Sequence, residues 1–286
     1  LYGDHAVAGV INIITRKGTP EPVTDVSAEA GSFGTTAFRA GTSARRGDVS
    51  YAVNAERLDS DGYRDRTGFL SQGGGVKLGY DPGGALAASL GLSWQQVDYE
   101  IPGWLTQEQM ARDRKQAGNP ADEARNEYLN SDLNLRYNLA DKQRAEVMVF
   151  FGRKDTSSDM ASWLSFTDAT VDTVGASPRY VSENRLAGHD NTLIAGVDYC
   201  IDMLRCDRYA DDARNTQTVA AAIDKTTLGF YARDVFELAE HLLLSAGARA
   251  ESAEFAGDGS SGGMDLFNDQ TKYSATAFDG SLVQTF

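Results

Sequence analysis

Residues Ala85–Val97 read Ala-Leu-Ala-Ala-Ser-Leu-Gly-Leu-Ser-Trp-Gln-Gln-Val. Leu86, Ala88, Leu90, Leu92 and Trp94 occupy alternate positions, with Ala87, Ser89, Gly91, Ser93 and Gln95 between them. Successive side chains of an extended strand point to opposite faces, so this pattern predicts a strand with one apolar face and one small or polar face. The same alternation recurs in Leu133–Tyr137, Ala145–Phe151, Leu193–Tyr199 and Leu242–Arg249. The chain is therefore read as all-β. Two architectures use such strands. A sandwich turns the apolar face into a core, and a transmembrane barrel turns it outward to lipid.

Composition narrows the choice of function. The 286 residues carry 27 Lys plus Arg against 41 Asp plus Glu, a formal charge of −14. An acidic chain is a poor match for nucleic acid, whose phosphates need a basic surface. No stretch approaches the roughly 20 apolar residues of a membrane-spanning helix. A barrel escapes that test, because its outward apolar residues alternate with inward polar ones.

Connections decide between the two architectures. Short turns are expected at Arg45–Asp48, Asp81–Gly84, Leu139–Lys142, Arg185–Asp190 and Glu237–His241. Long polar segments are expected at Asp59–Leu70, Tyr99–Glu127, Asp155–Ser162, Asp207–Asp224 and Ala256–Lys272. Counted from Val23, short turns follow even strands and long loops follow odd ones, apart from a short first connection at Ser32–Thr35. Short turns at one end and long loops at the other are a property of outer-membrane barrels. The expected architecture is an antiparallel transmembrane β-barrel with about twelve strands present, many long enough to span with about 9–11 residues.

Leu1–Gly18 differs from the rest of the chain. It is a turn of small residues leading into the β-branched run Val10–Thr15, closed by Arg16, Lys17 and Gly18. It lacks the alternation of the later strands and reads as a buried strand of a separate element. The chain begins at Leu1 without a Met or a signal sequence, and it is read as an internal piece of a longer protein.

This opening resembles the end of the plug domain of TonB-dependent outer-membrane receptors. The matching residues are Tyr2, Gly3, Ala6, Gly9, Val10, Ile11, Asn12, Ile13, Thr15, Lys17 and Gly18, with Ala8 where the family usually has Gly. Further likenesses lie at Asp61–Asp65, at Ile101–Thr106 and at Gly229–Arg249, where Phe236 replaces the more usual Trp. The resemblance implies residues 1–18 as the C-terminal end of a plug and 19–286 as the N-terminal half of a barrel of about 22 strands. A barrel that wide cannot be filled by its own side chains, which gives a plug its purpose.

The resemblance also implies function: active uptake of a scarce nutrient across the outer membrane, most often a ferric siderophore or similar iron complex. The implied partners are TonB with its inner-membrane energising complex, a small metal-chelate ligand, and the lipid and lipopolysaccharide of the outer membrane. No catalytic residue, resident metal or cofactor is implied. Haem or cobalamin are alternative cargoes. A passive porin is the alternative of another class, although it leaves the plug-like opening unexplained, as does a twelve-strand outer-membrane hydrolase.

Several residues invite a site. Tyr63, Arg64 and Trp104 lie in expected external loops, where aromatic and guanidinium groups suit a planar or chelated ligand. The same residues suit an interfacial girdle or an internal loop contact. Asp59, Asp61 and Asp65, spaced around Gly62, offer oxygen ligands for a hard cation, or a solvated acidic loop. Cys200 and Cys206 flank five residues near an expected strand end, which suits a loop-closing disulfide in an oxidising periplasm, or else two free thiols or a metal pair without further ligands. His5, His189 and His241 are scattered without metal-ligand spacing. Gly259–Gly263 matches Gly-x-Ser-x-Gly but falls in an expected polar loop, the wrong setting for a nucleophile. Acidic residues including Asp207, Asp211, Asp212, Glu251, Glu254 and Asp258 crowd the external side, which favours a neutral or cationic cargo.

Overall fold

A computed structural model describes residues 18–240 and 242–284. The plug-like residues Tyr2 to Lys17, with His5 and His241, lie outside the described residues. The chain forms one twelve-stranded sheet in sequence order, every neighbour antiparallel. Its strands are β1 (Val23–Ala30), β2 (Thr36–Arg46), β3 (Val49–Ser60), β4 (Phe69–Tyr80), β5 (Leu86–Glu100) and β6 (Glu123–Ala140). They continue with β7 (Gln143–Met160), β8 (Ser165–Leu186), β9 (His189–Tyr209), β10 (Gln217–Ala239), β11 (Leu242–Ser261) and β12 (Met264–Gln284). The sheet is open, with β1 and β12 at its edges. One short helix, α1 (Gln107–Arg112), sits in the longest connection.

Register assigns each side chain to a face, because directly paired residues of an antiparallel sheet lie on the same side. One row of partners runs Tyr51, Leu78, Leu90, Leu133, Val149, Ala176, Tyr199 and Leu228 from β3 to β10. The apolar residues of Ala85–Val97 thus join a continuous apolar band. Among the described residues nothing covers it: Leu92 is 49% exposed, Trp94 41% and Phe230 55%. The buried hydrophobics among them are only Ala37, Ala44, Ala124, Phe166 and Val181. A sandwich would bury the band, so this is the barrel solution, with the band facing hydrocarbon. No described helix is long and apolar enough to cross a membrane.

All five expected short turns follow even strands, as the sequence predicts. Ala187 and Gly188, with φ of 53° and 88°, make one of them in the mirror-image conformation that matches strand twist. The other end differs from expectation. Asp155–Ser162 is not a long loop, because β7 continues through Met160 and the connection is 161–164. Ala256–Lys272 is a hairpin turning at Gly262 and Gly263, with φ of 57° and 80°. Gly-x-Ser-x-Gly therefore lies at a strand end and hairpin tip, with no helix behind it. The expected loop Asp207–Asp224 narrows to 210–216. These segments are polar on both faces, and ladder hydrogen bonding supports them where apolar alternation gives no signal.

Just before β1, Thr19 Oγ1 donates to the Ser43 carbonyl at 3.1 Å. Ser43 pairs with Ala52, on the face opposite the apolar band. The chain thus approaches the sheet from the inner, polar side.

Candidate functional site

At the long-loop end, successive connections are fastened to one another. Arg64 spends its guanidinium on backbone carbonyls of the next loop: Nη1 donates to Gly103 O at 2.9 Å, and Nε and Nη2 donate to Gln116 O at 3.3 and 3.1 Å. Asp65 N–H donates to Lys115 O at 2.7 Å. Within that loop a capping box starts α1, with Thr106 Oγ1 accepting from Gln109 N–H and Gln109 Oε1 accepting from Thr106 N–H. Asp122 is fully buried; its carboxylate accepts from Asn119 Nδ2 and from Ser162 N–H, both at 2.8 Å, and so joins loop 101–122 to connection 161–164.

Arg214 fastens the following loop. It donates to both carboxylate oxygens of Asp168, to Asp159 and to Ser157. The hydrogen bonds to Asp168 and Asp159 hold its pKa above the usual guanidinium range. Asp211 in the same loop accepts from the N–H groups of Asn215 and Thr216, which hold its carboxyl below the ordinary 3.8.

The sequence-selected residues divide. Tyr63 and Trp104 are exposed, and the Arg64 contacts bring their two loops together. Tyr63 meets Phe33 edge-to-face at 5.6 Å, with Lys115 Nζ 5.8 Å from its ring centre. Arg64 itself is turned into the loop contact. Asp59 pairs with Arg57 at 3.1 Å. With Asp61 and Asp65 it does not gather into a metal-holding set; among the described residues no three His, Cys, Asp or Glu do so.

The expected disulfide is corrected. Cys200 and Cys206 form none. Both lie within the unbroken strand β9, and six residues at roughly 3.3 Å each hold them about 20 Å apart, far beyond the reach of a disulfide. His189 starts β9 and packs against the Phe236 ring at 5.7 Å, as a structural residue does.

The inner wall was not legible from any motif. At membrane level it balances its own charges. Arg249, buried to 8% side-chain exposure, pairs with Asp198 and Glu251 at 2.5 Å beneath Tyr231, and Glu146 accepts from Arg144 and Arg179. Further out, both faces carry both signs, and Arg125, Arg153 and Arg205 pair with Asp98, Asp172 and Asp224 on the outer face. Glu127 and Asp155 pair on the outer face, as do Asp168 and Asp207, and Asp258 lies there opposite Ala222. The inner face carries Lys154, Arg208 and Lys225, with Asp202 beside Lys225. Two inner rows run side by side. One is Tyr128, Lys154, Val171, Leu204, Ile223 and Gly257, and the other is Asn130, Gly152, Thr173, Asp202, Lys225 and Phe255. Lys154 Nζ stands 5.7 Å from the Tyr128 ring centre and Lys225 Nζ 5.5 Å from that of Phe255. The signal in the sequence was parity: Lys154 follows the outward Arg153 and so points inward.

Known proteins share this architecture. Comparison with curated protein sequences finds no significant match. Among solved structures, the ferric citrate transporter FecA in unliganded form superposes with a TM-score of 0.82 at 15% identity, over 98% of this chain and 44% of FecA. The ferric yersiniabactin uptake receptor FyuA from Yersinia pestis gives 0.76 at 18% identity, over 99% and 47%. The siderophore receptor PiuA from Acinetobacter baumannii gives 0.77 at 13% identity, over 97% and 49%. The chain thus spans about half the length of these structures, and at such identities the likeness is one of fold. The family model described as TonB dependent receptor-like, beta-barrel matches residues 24–283. By that match, and by the twelve-stranded sheet with its outward apolar band, the chain belongs to the TonB-dependent receptor β-barrel family.

Proposed function

We propose that this chain is part of an outer-membrane receptor that imports a metal chelate, most simply a ferric siderophore, using energy delivered by TonB and its inner-membrane complex. The observation that carries the reading is the family match across residues 24–283, supported by similar structures whose proteins take up ferric citrate and ferric yersiniabactin. On this reading the work of the site is capture and transport, with no bond made or broken in the cargo. Residues 1–18 are taken as the end of a plug, and Thr19, which follows them, meets Ser43 on the inner face. Exposed Tyr63 and Trp104 line the entrance, in loops fastened by Arg64. Haem and cobalamin are the competing cargoes.

Deletion of the gene for the full-length protein tests this. Growth is compared on ferric siderophores, haem and cobalamin as single scarce sources, with and without active TonB. A defect confined to ferric siderophores and reproduced by loss of TonB is expected. A defect confined to haem or cobalamin replaces the cargo. A general change in permeability, indifferent to TonB, overturns the reading in favour of a porin.

A further inference from the structure

We propose that the lipid-facing wall at Asp234 binds a phospholipid of the periplasmic leaflet whose headgroup carries an ammonium group. The inference concerns the outer surface of the sheet and is independent of the cargo.

Register carries it. Asp234 has the parity of Leu228 and Phe230 on β10, so it lies on the face that meets hydrocarbon. Its partners across the sheet are Leu193 on β9 and Ala246 on β11, and its same-face neighbours along β10 are Ala232 and Phe236. A carboxylate is thus set among four apolar neighbours. Charge in such a setting is costly, and it marks a site where a partner is expected. Asn191 Nδ2 donates to Asp234 Oδ1 at 2.8 Å, which orients the carboxylate but brings no opposite charge. The nearby arginines Arg179, Arg233 and Arg249 fall on the lumen side, where Glu146, Ser245 and Asp198 take them up.

Height and shape choose the occupant. Five residues of β10 follow Asp234 before the short turn, and short turns mark the periplasmic end. The carboxylate therefore lies near the periplasmic rim of the band, at the height of lipid headgroups. The next outward row toward the bilayer centre is Tyr180, Ala195, Ala232, Ala248 and Phe278. It begins two residues, roughly 7 Å along the strand, from Asp234. Three adjoining alanines between two rings leave a low floor, on which an acyl chain lies closer to the backbone than it does over the rings. An aminophospholipid joins the two required groups, an ammonium for the carboxylate and a chain for the floor. Its N–H groups form charge-assisted hydrogen bonds with the carboxylate. A headgroup bearing phosphate alone sets like charge against Asp234.

The test uses the full-length receptor, folded in detergent and offered equal amounts of three lipids with identical chains: phosphatidylethanolamine, phosphatidylglycerol and phosphatidylcholine. Native mass spectrometry counts the lipids retained. The ethanolamine lipid is expected to be retained about fivefold more than the glycerol lipid, the size of one charge contact at a membrane surface. The choline lipid, whose ammonium has no N–H to donate, should fall between them. Asp234→Asn keeps the side-chain shape and should abolish the preference. Asp224→Asn removes another outward carboxylate, one already paired with Arg205 at 2.7 Å, and should change retention less than about twofold. Folding of each variant is checked by heat-modifiable migration. Should Asp234→Asn not fold, Ala248→Leu takes its place: it raises the floor and should lower retention of the ethanolamine lipid. Equal retention of the three lipids by the unaltered receptor overturns the site, and is the result expected if Asp234 instead meets a basic segment of another membrane protein. A preference for either other lipid, or one for ethanolamine that survives Asp234→Asn or Ala248→Leu, overturns it as well.

Discussion

Arg64 in one external connection donates through Nη1 to the carbonyl of Gly103 in the next, at 2.9 Å. Together with its bonds to Gln116 O, this turns two loops into one body. Arg64→Ala leaves those carbonyls to find water and is expected to cost about 2 kcal/mol of local stability. Hydrogen exchange or limited proteolysis should show residues 101–122 opening at unchanged stability of the barrel strands. Unchanged protection there would mean that α1 and Asp122 hold the loop alone.

The outward band can be checked by a pair of neighbours on β5. Leu90 faces out, paired with Leu78 and Leu133, whereas Ser89 faces in, paired with Gly79 and Asn134. Leu90→Arg is expected to destabilise the folded protein in bilayers by about 2–4 kcal/mol, the range for a cation on the lipid face near the midplane. Ser89→Arg should cost less. Folding of the full-length protein into lipid vesicles, followed by heat-modifiable migration, distinguishes them. A larger penalty at Ser89 would reverse the face assignment.

Cys200 and Cys206 should both react with an alkylating reagent after denaturation without any reductant, because they lie on one extended strand. Mass spectrometry is expected to show both adducts. Electrophoretic mobility should be the same with and without reductant. A mass two hydrogens light would require β9 to break between them.

Asp211 gives loop 210–216 a pH dependence. Its carboxyl is held below 3.8 by N–H donors from Asn215 and Thr216. A lowered folded value means that the charged form stabilises the loop above the unfolded value, and that this contribution disappears as pH falls through the folded value. Protection of the loop should therefore be constant above about pH 4 and decline below it. Asp211→Asn should remove that decline, as measured by hydrogen exchange across about pH 2 to 5. A decline that persists in the variant would assign it to other carboxylates, such as Asp168.

Much of this was readable from residues alone where one face was apolar. Leu86 to Trp94 announced β5 because lipid demands a strict alternation. The turn at Ala187 and Gly188 was readable because a tight hairpin needs particular residues. The outer parts of β7, β9 and β11 were not, since Asp155, Asp207 and Asp258 stand where water touches both faces and alternation has nothing to sort. The same lack of contrast hid the inner row. With Asp207–Asp224 read as loop, Leu204 and Ile223 had no partners and Lys225 no face. Arg64 was selected for its chemistry, but only geometry shows its donors turned to Gly103 and Gln116.

Strand lengths grow around the sheet, from 8 residues in β1 and 12 in β3 to 22 in β8 and 23 in β10. The surplus lies on the outer side, since the outward apolar run ends at Ala55 on β3 with little strand beyond it, and at Val174 on β8 with most of a further span above. The rim of this sheet consequently rises from a low edge at β1–β3 to a tall stretch at β8–β11. The tall stretch is where Lys225 and Phe255 stand. The extra height at β8–β11 is strand that water touches on both sides, so this part of the sheet projects beyond the apolar band as a free-standing wall.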